Sequence, residues 1–293
     1  MFTSFLFALI SATSFGISNG YWKIPHKHIS LTQLIFFRGI IASAIFGLLW
    51  IGINFIHADY FETISYKATL SEYLLTILLC FVCSLGLVFF LQSLHYSKIS
   101  ITVPLTSINL FSILTAVFVL NEKFKTQFCL TFLFAFFGIL LLQLKTMGRF
   151  SLQWNKGATY AILASFVWGV TYALFKFPVK WIGPIPLAFL LESSVTITAL
   201  IWSFLNKSKI NFADLANKKN IKHYLILAFL LVNGTLFFNM ALRNMSILVL
   251  IFSGCFQMIV AVLFEVFVFK LKLKVSELIG ILLIIVSIII SYL

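Results

Sequence analysis

The chain has 293 residues, of which 61% are hydrophobic and only 10% charged, with a formal net charge of +13. Soluble domains run near a quarter charged, so that class is excluded. The basic residues stand in short gaps between apolar runs, where they read as membrane flanks and not as a nucleic-acid-binding surface.

Taken in order, the apolar runs predict ten membrane-spanning helices, at 2–22, 31–53, 72–94, 99–120, 126–144, 157–177, 184–204, 223–242, 246–269 and 275–293. A bilayer core needs about 20 helical residues per crossing, which these lengths supply. No Lys or Arg precedes the first run, so it is expected to be retained as a span and not cleaved as a signal peptide. Cys80, Cys83, Cys129 and Cys255 all fall inside apolar runs, where they read as small buried apolar groups. His26-Lys27-His28 has no third ligand near it, and no metal site is expected.

The chain repeats itself. Ser11–Pro25, SATSFGISNGYWKIP, aligns with Ala164–Pro178, ASFVWGVTYALFKFP, at an offset of 153. Gly16 meets Gly169, Lys23 meets Lys176, and Pro25 meets Pro178, so each copy reads as a glycine-bearing helix ended by Lys and stopped by Pro. Phe89-Phe90 falls on Phe237-Phe238 at an offset of 148, and the spacing of Thr131 and Gly138 recurs in Gly280 and Ser287 at 149. The expected fold class is an all-α membrane protein of ten transmembrane helices, built as two five-helix repeats at 1–146 and 151–293. Five is odd, so the second copy crosses the membrane inverted relative to the first, as in secondary transporters whose site lies between the repeats.

Charges inside spans mark candidate sites, because each costs roughly 2.5–3.5 kcal/mol near a helix centre. Arg38 lies seven residues into the second span and Glu192 eight into the seventh, at nearly equivalent depth. They read as a pair or as two ends of one polar cavity. The blander alternative has Arg38 snorkelling to the headgroups and Glu192 protonated and hydrogen-bonded. Glu265 and Glu122 read as boundary and turn carboxylates, while Lys23 and Lys176 read as interfacial anchors with contact to an anionic group left open. Among uncharged groups, Asn19, Trp168 and Tyr172 are candidates for cavity lining, with helix packing the alternative. Trp168 and Tyr172 are four apart, share a helix face, and could stack on a planar solute. Asn109, placed with the same polar set, and Pro104, expected to kink the fourth span, complete it.

The paired aromatic-Gly helices (Phe15-Gly16, Trp168-Gly169), the Ser93-Leu94 and Ala241-Leu242 positions, and Glu122 at the end of the fourth span resemble the drug/metabolite transporter superfamily. Within it the chain resembles the ten-span EamA-like family, over essentially its whole length. In the second half Leu271 stands where Glu122 stands in the first. The resemblance implies a secondary transporter of the bacterial inner (cytoplasmic) membrane that moves a small organic metabolite, an amino acid or similar, by alternating access. A channel-like facilitator or lipid flippase of the same fold is the alternative, and no enzyme motif accompanies either. Substrate binding is expected at Arg38, Glu192, Asn19, Trp168 and Tyr172, with Glu192 the first candidate should protons be coupled. The expected partners are a small-molecule substrate, the lipid bilayer and, if coupled, protons; no nucleic acid or cofactor is expected, and the protein is read as a monomer or homodimer. The resemblance implies cytoplasmic termini, whereas the lysine and arginine distribution taken alone places both termini outside.

Overall fold

The computed structural model describes residues 2–22, 24–25, 28–56, 68–96, 110–143, 156–207, 210–270, 273 and 275–293. Lys23, His26, Lys27, Pro104, Asn109 and Leu271 lie outside the described residues. The first half contributes α1 (Phe2–Tyr21), α2 (Leu31–Ile56), α3 (Leu70–Tyr96), α4 (Leu110–Phe118) and α5 (Thr126–Gln143). The second contributes α6 (Lys156–Leu174), α7 (Lys176–Trp181), α8 (Pro184–Leu205), α9 (Lys218–Asn244), α10 (Ile247–Gly254), α11 (Phe256–Phe269) and α12 (Val275–Tyr292). Eight helical stretches are long and apolar enough to cross a membrane, and a shorter apolar helix spans Thr126–Leu141. Leu48, Phe55, Phe118, Phe204, Phe229 and Phe267 are all more than half exposed, which is the face an all-α membrane protein turns to lipid.

Two expected spans are broken, for local reasons. Pro178 has no N–H to give the Leu174 carbonyl, so the sixth span divides into α6 and α7 at Phe175. The expectation that Pro178 stops the helix is corrected. It sits in the first turn of α7, where proline is tolerated, and the chain stays helical to Trp181. The ninth span divides at Cys255, whose amide bonds to the Phe252 carbonyl three residues back, tightening the turn between α10 and α11.

Helix pairing follows the halves. Among the described residues the most extensive pairs are α2 with α8, α5 with α12, α3 with α6, α1 with α9, α1 with α11, α3 with α8, α4 with α6 and α2 with α9. Exchanging the halves leaves this set unchanged, since α3–α6 becomes α9–α1 and α1–α11 becomes α6–α4. Side-chain contacts also fix direction. Gly39 faces Thr196 while Gly47 faces Phe189, so α2 and α8 are antiparallel. Phe7 meets Phe237 and Tyr21 meets His223, so α1 and α9 are antiparallel. Gly16 faces Val260 and Gly20 faces Phe264, so α1 and α11 run together. These directions are those of a chain that crosses back and forth with its second half upside down. The end where α1 begins is called here the N-terminal face, and α8 and α10 also start from it.

Candidate functional site

Arg38 and Glu192 form an ion pair across the α2–α8 contact, with their side chains 6% and 5% exposed. The antiparallel crossing explains how they meet. Arg38 lies about 10 Å along α2 from one face and Glu192 about 12 Å along α8 from the other, at 1.5 Å per residue. In a core about 30 Å thick, two long side chains close the remaining gap near the middle. Glycine makes the close approach feasible, since a Cβ on Gly39 would overlap the Thr196 hydroxyl.

The pair reaches beyond its two helices. Thr235 of α9 donates its hydroxyl to Glu192 Oε1 at 3.3 Å. Arg38 grips Glu192 through Nη1, while its Nε is buried without a hydrogen-bond partner. On α9, one turn beyond Thr235, Asn239 donates to the Pro184 carbonyl at 3.1 Å and leaves its Oδ1 buried and unpartnered. A free buried donor and a free buried acceptor flanking an ion pair are costly for packing alone, because neither recovers the hydrogen bond it lost to water.

An aromatic wall stands beside this cluster. Trp168 and Tyr172 stack with ring centroids 6.4 Å apart and planes 18° apart. Trp168 donates its ring N–H to the Cys83 carbonyl at 3.1 Å and packs on Phe90; Tyr172 packs on Phe238. Tyr172 lies beside the Cys83 thiol and near enough to Arg38 and Glu192 to feel both charges. Ser84 and Thr198 add a buried hydroxyl pair at 2.6 Å between α3 and α8. Of the five expected site residues, four are therefore brought into one neighbourhood. Asn19, at the end of α1, is exposed and falls on none of these contacts.

Each face carries its own closure. At the N-terminal face Glu122 accepts from the Ser246 hydroxyl and from the amides of Ile247 and Leu248. Lys176 donates to the Leu242 carbonyl at 2.7 Å and to that of Met245. At the opposite face Gln33 donates to Asp214 at 2.5 Å and Tyr224 at 3.2 Å, Tyr21 bonds His223 at 2.8 Å, and Phe212 packs edge-on to Phe36 and Phe37.

Residues 155–293 match the EamA-like transporter family. A solved crystal structure shares the fold over 97% of this chain and 96% of its own, with a TM-score of 0.75 at 11% identity. By that match the second half of the chain is an EamA-like domain. It is an integral membrane protein, and the family is one of transporters. No curated protein matches it by sequence. The fold likeness covers both halves of the chain, whereas the family match lies in the second.

Thr235 and Cys83 are not marked for the site by the sequence, and Asn239 stands there only as one of the uncharged polar set. A threonine or cysteine in a span carries no signal of its own, since each can bond back to its own helix. Asn239 was visible as a polar residue, but nothing along the chain sets it beside Glu192. Glu277, buried in the first turn of α12, likewise carries no signal of its own along the chain.

Proposed function

We propose that this EamA-like transporter is a secondary carrier moving a small organic metabolite, an amino acid or similar, across a bacterial inner membrane by alternating access. The repeats at 1–146 and 151–293 rock against each other about the α2–α8 crossing, exposing the central cluster to one face at a time. The observation that carries this reading is the Arg38–Glu192 pair, held by one residue from each half and closed over at both faces. Motion of one half against the other necessarily acts on that pair. Arg38 offers an unused donor, Asn239 an unused acceptor, and Trp168 with Tyr172 an apolar plane, which suits a solute with polar and flat apolar parts.

Solute counterflow in proteoliposomes tests the carrier class. A carrier gives trans-stimulated exchange of a labelled solute, whereas a channel-like facilitator or a flippase of this fold does not. Proton coupling is tested by Glu192→Gln under an imposed pH gradient. Loss of gradient dependence with exchange retained is expected if Glu192 carries the proton, and unchanged gradient dependence excludes that role.

A further inference from the structure

Ser246 stands at the N-cap of α10, where a serine hydroxyl ordinarily accepts from an amide two or three residues on. Here it makes no such bond. Its hydroxyl donates instead to Glu122 Oε2 at 2.7 Å. The amides of Ile247 and Leu248 also go to Glu122, at 2.8 and 3.2 Å. A carboxylate from the first half thus sits on the orphan amides at the start of a helix in the second half. Hydrogen bonding and the helix dipole both favour it there.

The local backbone holds Glu122 in place. Asn121 takes a left-handed conformation with φ 53, and the Glu122 amide returns to the Ala116 carbonyl at 2.9 Å, ending α4. On the other side of the corner Lys176 holds the last carbonyls of α9. A cavity of about 320 Å³, lined by Glu122, Lys123, Lys125 and Ser246 among others, opens against the cap. The carboxylate therefore has open space beside Lys123 and Lys125 to withdraw into. A cap needed only for folding would require nothing beyond Ser246, which is already in position.

We propose that Glu122 is a gating residue of the carrier described above, its carboxylate alternating with the Ser246 hydroxyl as the cap of α10. With the N-terminal face closed, Glu122 caps the helix across the halves. With that face open, Ser246 turns about its Cα–Cβ bond and caps its own helix. In the open state the Ser246 hydroxyl takes the Leu248 amide and water at the opened face takes that of Ile247, so opening strands no buried donor. This rests on the carrier reading only for the meaning of open and closed.

The test uses the full chain in sealed proteoliposomes, with Asn239→Cys as reporter and Cys129→Ser to remove the exposed native thiol. A membrane-impermeant thiol reagent is applied from each face. Glu122→Gln is expected to raise labelling from the N-terminal face about tenfold, the equivalent of one lost charge-assisted hydrogen bond. Ser246→Ala and Ser246→Gly both lose the bond to Glu122, but glycine caps nearly as well as serine and alanine does not. Ser246→Gly is therefore expected to label about threefold faster than Ser246→Ala. A contact that serves only folding gives the two variants equal rates, and that result, or indifference to Glu122→Gln, overturns the proposal. Should Glu122→Gln fail to fold, Glu122→Cys with Ser246→Cys, joined by a short bifunctional thiol reagent, must block labelling from this face; unchanged labelling overturns cap exchange. Trans-stimulated exchange by protein that keeps Asn239, with labelling of the reporter protein indifferent to both residues, leaves the carrier standing and removes the gate.

Discussion

A guanidinium and a carboxylate buried in the middle of a membrane protein are held there by each other. Removing one leaves the other unpaired in low dielectric, so Arg38→Gln is expected to destabilise the protein by about 3–5 kcal/mol. Replacing both with apolar residues of similar size, Arg38→Met with Glu192→Leu, should recover stability to within about 1 kcal/mol of the native protein or exceed it. Denaturation in detergent measures the first quantity, and counterflow measures whether the stable double variant still exchanges solute. It is expected not to. The two charges were legible in the sequence because nothing else explains a charge seven or eight residues into an apolar run. Their partners were less so. Asn19 and Tyr172 occupy equivalent places in the repeat, yet Tyr172 is packed among Phe175, Phe238 and Cys83 while Asn19 is exposed. Repetition fixes where a residue stands on its helix, and the neighbours supplied by the other half decide what it faces.

Glycine placement governs how closely the helices approach. A Cβ on Gly16 would lie 2.6 Å from the Gln257 carbonyl oxygen of α11, and one on Gly169 would lie 2.9 Å from the Ser112 nitrogen of α4. The matched glycines thus meet corresponding spans of the opposite half, the ninth and the fourth, and both obstacles are backbone that no rotamer change can move. Gly16→Leu and Gly169→Leu are each expected to cost about 1–3 kcal/mol, as overpacking does. Gly52, with nothing within 4 Å of its Cβ position, should accept alanine and gain up to about 1 kcal/mol of helix stability. Thermal unfolding of the three variants checks the contrast. The glycine pairing was readable from the duplicated segment, but the division of the sixth span at Phe175 was not. There the proline that looked like a stop acts through the hydrogen bond it withholds one turn earlier.

At the scale of the molecule, the described helices put two halves across from each other with matching contacts. The odd span count already required inversion, and the antiparallel registers of α2 with α8 and α1 with α9 carry it through. The closures at the two faces were beyond reach of the sequence. Glu122 finds Ser246 at one end of the bundle, and Gln33 finds Asp214 at the other, only because distant segments converge there. Between those closures lies the cluster on which the transport account depends, and Thr235 touches its centre. The decisive measurement is impermeant-thiol labelling of Thr235→Cys, in protein lacking the exposed Cys129, from each face of sealed proteoliposomes. Access from both faces, with the N-terminal route lost when Glu122 and Ser246 are linked and the other retained, is the result expected of alternating access. Labelling from neither face, or from one alone whatever the state of that link, would contradict it.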